Sequence, residues 1–187
     1  MRVPLVLTLS LLPVGLVCAR AQDPPTEVLQ PIYVTAPGSS NMTGDILLSV
    51  NLDTKGFVTS ATSTSKDSKM VEGAIGVAKL FPHRSLAGKT GLSERIHFTQ
   101  KSDFVTPLQV QYPEAARSQH LSGVVVIVGV ISADGAVSSS RAISGPELLA
   151  SAVLDEYKSV VYKSIPINGE PSTAYAVYYV SFSFSGS

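Results

Sequence analysis

Two stretches decide how this chain folds: Gly44–Ser60, GDILLSVNLDTKGFVTS, and Gly123–Ser139, GVVVIVGVISADGAVSS. Each reads as a strand, a tight turn and a second strand. At a constant offset of 79 they align Gly44 with Gly123, Gly56 with Gly135 and Val58 with Val137. Lys55-Gly56 and Asp134-Gly135 stand where a hairpin turn needs positive φ, which glycine supplies without a Cβ clash. Any two hairpins share part of this pattern. The order of the later segments extends it, because a helix-like stretch and then a strand-like stretch come next in both halves. That order points to an internal duplication.

In the first half, Met70, Ala74, Val77 and Phe81 recur at helical spacing, predicting a helix over Lys69–Phe81 that Pro82 stops. Ser93–Thr99 is a short closing strand. In the second half, Ser144-Gly-Pro-Glu147 has the form of a capping box. Leu149, Val153, Tyr157 and Val160 then make one apolar helical face. Pro166 and Asn168-Gly169 break the chain. Thr173–Ser185 comes next as a long strand, with Tyr175, Val177 and Tyr179 on one face and Tyr178, Val180, Phe182 and Phe184 on the other. The expected class is α+β: two units, 42–101 and 107–185, each a three-stranded antiparallel sheet with a helix on one face.

Ahead of the units, residues 1–21 read as a secretory signal: Arg2, an apolar run Val3–Val17, and Ala19-Arg20-Ala21 as the cleavage pattern. The run is short for a membrane span, which needs about 20 apolar residues. No span is expected once the signal is cleaved. Val17 is too large to precede a lipidated cysteine. Cys18, the single cysteine, leaves with the signal, so no disulfide or thiolate chemistry is expected in the mature chain. Residues 22–41, with Pro24, Pro25, Pro31 and Pro37, read as an irregular lead-in. Fully extended, it reaches only about 70 Å. Of the 14 basic residues, Arg2 and Arg20 belong to the signal, leaving 12 against 14 acidic ones. There is no basic stripe, and nucleic acid is not expected as a partner.

The second unit carries a resemblance. Gln111-Tyr112-Pro113-Glu114-Ala115-Ala116-Arg117 precedes a glycine-led strand at Gly123. Asp134-Gly135-x-Val137, Leu148-Leu149, Asn168-Gly169-x-Pro171 and a last strand of alternating aromatics come after it in order. This ordered set, over about residues 107–185, resembles TonB C-terminal domains, with a degenerate second copy in the N-terminal half. The resemblance implies a periplasmic setting in a Gram-negative envelope. It also implies a protein partner: a segment near the N-terminus of an outer-membrane receptor, added as a strand to the domain's last strand. Carried over, the docking edge is Ala174, Tyr175, Ala176, Val177, Tyr178, Tyr179, Val180, Ser181 and Phe182. Gln111, Tyr112 and Pro113 form the motif that opens the domain. The chain departs from the family in having no tryptophan; Tyr162-Lys163 with Pro166 is the nearest counterpart of the family's Trp-Arg-Phe-x-Pro motif. The family's membrane anchor and long Pro-rich, Lys/Glu-rich spacer have no counterpart in this reading, so fold carries over more safely than function.

Enzymatic constellations are missing. There is no Gly-x-Ser-x-Gly, no His-Glu-x-x-His and no phosphate-cradling glycine loop. His83, His97 and His120 are scattered, and read as surface residues rather than ligands. No cofactor, metal or catalytic residue is expected. Two main functional readings result: peptide binding by strand addition, possible in TonB-dependent transport, or a structural scaffold of the envelope in which the two units cover each other's edges. In the second, one continuous sheet leaves no docking strand, and a homodimer stays open in either.

Overall fold

The computed structural model describes residues 29–35, 42–164, 166–167 and 169–184. Residues 1–21, read as a signal, and most of residues 22–41, read as a lead-in, lie outside the described residues. In chain order the elements are β1 (Ile32–Thr35), β2 (Gly44–Leu52), β3 (Val58–Thr62), α1 (Ser68–Ala78), β4 (Leu92–Phe98), β5 (Phe104–Thr106), α2 (Glu114–Ser118), β6 (Gly123–Ile131), β7 (Val137–Ser144), α3 (Glu147–Tyr157), β8 (Val161–Tyr162) and β9 (Ala174–Phe182).

Seven strands form one sheet in the order β3-β2-β4-β1-β9-β6-β7, and β5 pairs β8 apart from it. Each half contributes an antiparallel hairpin and a third strand: β2 with β3 and β4, β6 with β7 and β9. The expectation of two three-stranded sheets therefore gives way to a single mixed sheet. The joining piece is β1, which runs parallel to β4 on one side and to β9 on the other.

That strand corrects the reading of residues 22–41 as irregular. Ile32-Tyr33-Val34-Thr35 is a run of strand-forming residues, with Pro31 just before its first residue, a position where proline does not interrupt a ladder. Both of its partners lie far away in sequence, so no local pattern reveals the pairing. Ile32, Tyr33 and Val34 are at most 3% exposed. Burial of Ile32 and Val34 contributes about 1.5–3 kcal/mol each.

Alternation divides the core into two. Ile46, Leu48, Val50 and Leu52 of β2 and Leu92, Ile96 and Phe98 of β4 pack against Ala74, Val77 and Ala78 of α1, with Ile32, Val34, Val128 and Val177 in the same cluster. Val125, Ile127, Ala174 and Ala176 pack against Leu149, Val153 and Tyr157 of α3, with Tyr33. Successive residues of β1, β6 and β9 fall in different clusters, so α1 and α3 cover opposite faces of the sheet.

The helix ends differ from expectation. Asp67 caps α1 through Oδ1, which accepts from Met70 N at 3.0 Å, and the helix closes at Ala78, before Phe81. The Ser144–Glu147 capping box does not form: Ser144 is still in the ladder, opposite Val126, and Pro146 takes the cap position without a side-chain bond. The expected helical face is buried throughout, Leu149, Val153, Tyr157 and Val160 alike.

The two hairpin turns repeat each other bond for bond. Gly56 N donates to Asp53 O, and Gly135 N to Ser132 O; Asp53 N donates to Phe57 O, and Ser132 N to Ala136 O. Gly56 O accepts from His83 N at 2.8 Å, and Gly135 O from Tyr162 N at 2.9 Å. Every pair keeps the offset of 79. Amides of Phe57 and Lys55 hold the Asp53 carboxyl below its usual range, and the Ser132 hydroxyl and Ala136 amide do the same for Asp134.

Candidate protein-binding edge

The last strand is an inner strand of the sheet. On one side β9 pairs with β6 along its whole length, from Gly123↔Phe182 to Ile131↔Ala174. On the other it pairs with β1, Ile32↔Tyr175 through Thr35↔Tyr178. A free edge running from Ala174 to Phe182 is therefore corrected. Along Tyr175, Ala176, Val177 and Tyr178 the place of an added strand is filled by β1. Tyr179, Val180, Ser181 and Phe182 are left without a strand on the β1 side, among the described residues.

The cause is a shift in register. Pairing of β2 with β4 sets Gly44 opposite Phe98, and pairing of β6 with β9 sets Gly123 opposite Phe182. By that measure Phe98 corresponds to Phe182. Yet β1 meets β4 near its end, at Ile96–Phe98, and β9 near its start, at Tyr175–Tyr178. The far half of β9 projects beyond it.

Side chains keep the alternation read from the sequence. Tyr175 and Tyr179 lie on the α1 face, partly buried against that core; Tyr178, Val180 and Phe182 pack on the α3 face. Burial raises the phenols of Tyr178 and Tyr179. Tyr175 stacks on Phe81 at 4.7 Å between ring centroids. Tyr112 is brought to the projecting end of β9: its ring meets Phe182 edge-on at 5.7 Å, and its hydroxyl donates to Leu121 O. Pro113 accepts from Ala116 and Arg117 at the start of α2, and Gln111 is exposed. The motif thus leads through α2 toward β6 and meets β9 through the Tyr112 ring.

Two histidines are not the surface residues expected. His83 Nε2 lies 2.9 Å from Glu94 Oε1, with side chains 5% and 0% exposed. The distance is that of an ion pair, but the angle is not that of a hydrogen bond, and neither Glu94 oxygen has a donor among the described residues. The sequence holds a signal for this contact: in Leu92-Ser-Glu-Arg-Ile-His-Phe98 a period of two puts Glu94 on the apolar face with Leu92, Ile96 and Phe98. His97, on the other face, lies 2.7 Å from Asp45 and 3.1 Å from Asp103. Among the described residues no three His, Cys, Asp or Glu side chains group as a metal site, and no helix is long and apolar enough to cross a membrane.

With this geometry in place, residues 109–185 match the family described as Gram-negative bacterial TonB protein C-terminal, over fewer than half of the chain's 187 residues. Among solved structures the chain is similar to the solution NMR structure of the Pseudomonas aeruginosa TonB CTD. Identity is 17% and the TM-score 0.38, covering 47% of this chain and 93% of that one. No curated protein matches the chain. The chain is mixed α+β, and the stretch that matches the TonB C-terminal family lies in its second half.

Proposed function

We propose that this is an exported TonB-like protein of the Gram-negative periplasm that binds extended segments of envelope or outer-membrane receptor proteins, with a role in TonB-dependent transport. Support comes from the family match over residues 109–185. The observation that carries the binding mode is the projecting end of β9, where Tyr179–Phe182 has a strand on one side only among the described residues. Strand addition there offers two amides and the intervening carbonyls, since alternate N–H groups along a strand point to each side. The site is shorter than the nine-residue edge expected. The chain also reads as two copies of one unit, a reading supported by the constant offset of 79 through the hairpin turns and the segments beneath them.

A specific observation favours a second reading, the closed scaffold: β1 is buried on both faces and fills the other half of the β9 edge. Amide exchange on the chain from Gln22 onward separates the two. Fast exchange of alternate amides within Tyr179–Phe182, slowed by receptor N-terminal peptides, supports strand addition. Uniform protection of Ala174–Phe182 without any peptide supports the scaffold.

A further inference from the structure

A groove of about 300 Å³ lies on the α1 face of the sheet, where the two halves meet. Its floor is Val128 and Val130 of β6. Phe81 and Tyr175 wall one side, their rings stacked at 4.7 Å, with Leu80 beside them. The opposite rim belongs to the outer strand β7. There Arg141 pairs with Val128 and Ser139 with Val130, so both side chains stand on the groove's own face. Arg141 is exposed, and no carboxylate lies within ion-pair distance of it among the described residues.

We propose that this groove binds an acidic segment of a partner protein, seating one aromatic or branched aliphatic side chain on Val128 and Val130 and placing a neighbouring carboxylate on Arg141. Charge complementarity selects the occupant: an unpaired guanidinium beside an apolar trough calls for an anion attached to an apolar group. The volume, at the low end for a ligand cleft, fits a side chain rather than a larger molecule. Spacing favours a peptide. Tyr175 and Arg141 stand two strands apart, about 10 Å, and an extended chain covers about 7 Å between residues on one face. A compact aromatic acid does not reach both sides. Stacked rings with an arginine at the rim are also the side-chain types that dominate binding energy at protein interfaces. The groove uses side chains on β6, β7, the α1–β4 connection and, at the start of β9, Tyr175, so it lies apart from strand addition to the backbone at Tyr179–Phe182.

The test is a titration of the ¹⁵N-labelled chain with the blocked tripeptide acetyl-phenylalanyl-glycyl-glutamyl amide, whose ring and carboxylate fall on one face of an extended chain, monitored by NMR. Saturable shifts are expected at Val128–Val130, Ser139–Arg141 and Tyr175. The glutaminyl counterpart should bind about fivefold more weakly, the size of one partly exposed charge pair. Arg141→Gln should erase that difference and leave the spectrum elsewhere unchanged, because the side chain is exposed. Equal binding of the two peptides, no shifts in the groove, or phenylacetate binding as well as the tripeptide would each overturn the proposal. Shifts confined to Tyr179–Phe182 would support strand addition and count against the groove.

Discussion

At the scale of single residues, the two turn glycines carry more than a turn. Gly135 has φ +91°, and a Cβ there would fall well inside contact distance of the Tyr162 carbonyl. Gly56 has φ +86°, and a Cβ would stand 2.7 Å from His83 C and O. Backbone strain and a backbone clash add, so Gly135→Ala should lower the unfolding free energy by about 2–4 kcal/mol in urea titration. A loss below about 1 kcal/mol would show that the segment under the turn simply moves aside. The buried His83–Glu94 contact makes a different prediction. His83→Ala leaves the buried Glu94 carboxyl without the imidazole that lies 2.9 Å from it and should cost about 3–5 kcal/mol. Replacing both, His83→Leu with Glu94→Leu, should recover most of it, since a buried pair exchanged for apolar side chains is often neutral. If the double variant is as unstable as the two single losses summed, packing rather than charge explains the pair. Tyrosines give the pH dependence. Burial pushes the Tyr157 and Tyr162 phenols well above their ordinary value, and their hydroxyls bond to each other at 2.8 Å. A raised folded value means the stabilisation is complete below the ordinary pKa of about 10 and is lost as pH climbs toward the folded values. Near-ultraviolet tyrosinate absorbance should therefore rise in two stages, the half-buried phenols first and the buried pair only together with unfolding. A single smooth stage, with the circular dichroism unchanged, would contradict this.

At the scale of elements, local patterns are legible in the sequence and distant pairings are not. The hairpins, the α3 face and the alternation of β9 all arise from periods of two or 3.6 within one stretch. The capping box is lost because a ladder bond at Ser144 outweighs a local cap. The four residues of β1 show no period of their own, and their partners begin about 60 and 140 residues away, so only the folded chain reveals them. The docking edge is misread for that reason: β9 is correct as a strand and wrong as an edge over Tyr175–Tyr178. This changes what Val177→Pro should do. On a free edge, proline removes one outward donor and abolishes binding. On a strand paired to both β1 and β6, with Val177 fully buried, it breaks the ladder and distorts the core. We expect loss of at least about 3 kcal/mol or failure to fold, read from thermal melting. A stable variant that only loses peptide affinity would restore the free edge.

At the scale of the whole molecule, the sheet has only two outer strands, β3 and β7, among the described residues, and both are irregular. The β2–β3 ladder shifts register at Asn51/Leu52, and the β6–β7 ladder at Val126/Ile127 and Val130/Ile131. Bulged edges are poor templates for another chain, so the continuous sheet protects its own margins. Continuity has a second consequence. The two cores share β1, with Ile32 and Val34 in one and Tyr33 in the other, and Val128 and Val177 of the second half lie in the core under α1. Neither half completes its core alone. The chain from Gln22 should therefore unfold in urea as one cooperative unit, with circular dichroism and tyrosine fluorescence tracing the same curve. A fragment beginning at residue 107 lacks Tyr33, whose hydroxyl donates to Lys163 O at 2.7 Å, and leaves the α1 faces of β6 and β9 in water. It should be markedly less stable than the whole chain and should bind hydrophobic dye. Adding a peptide that carries residues 29–35 should restore part of that stability by filling the vacant place beside β9. Two separate transitions in the intact chain, or a fragment as stable as the whole, would mean that β1 joins the halves in space without coupling them energetically.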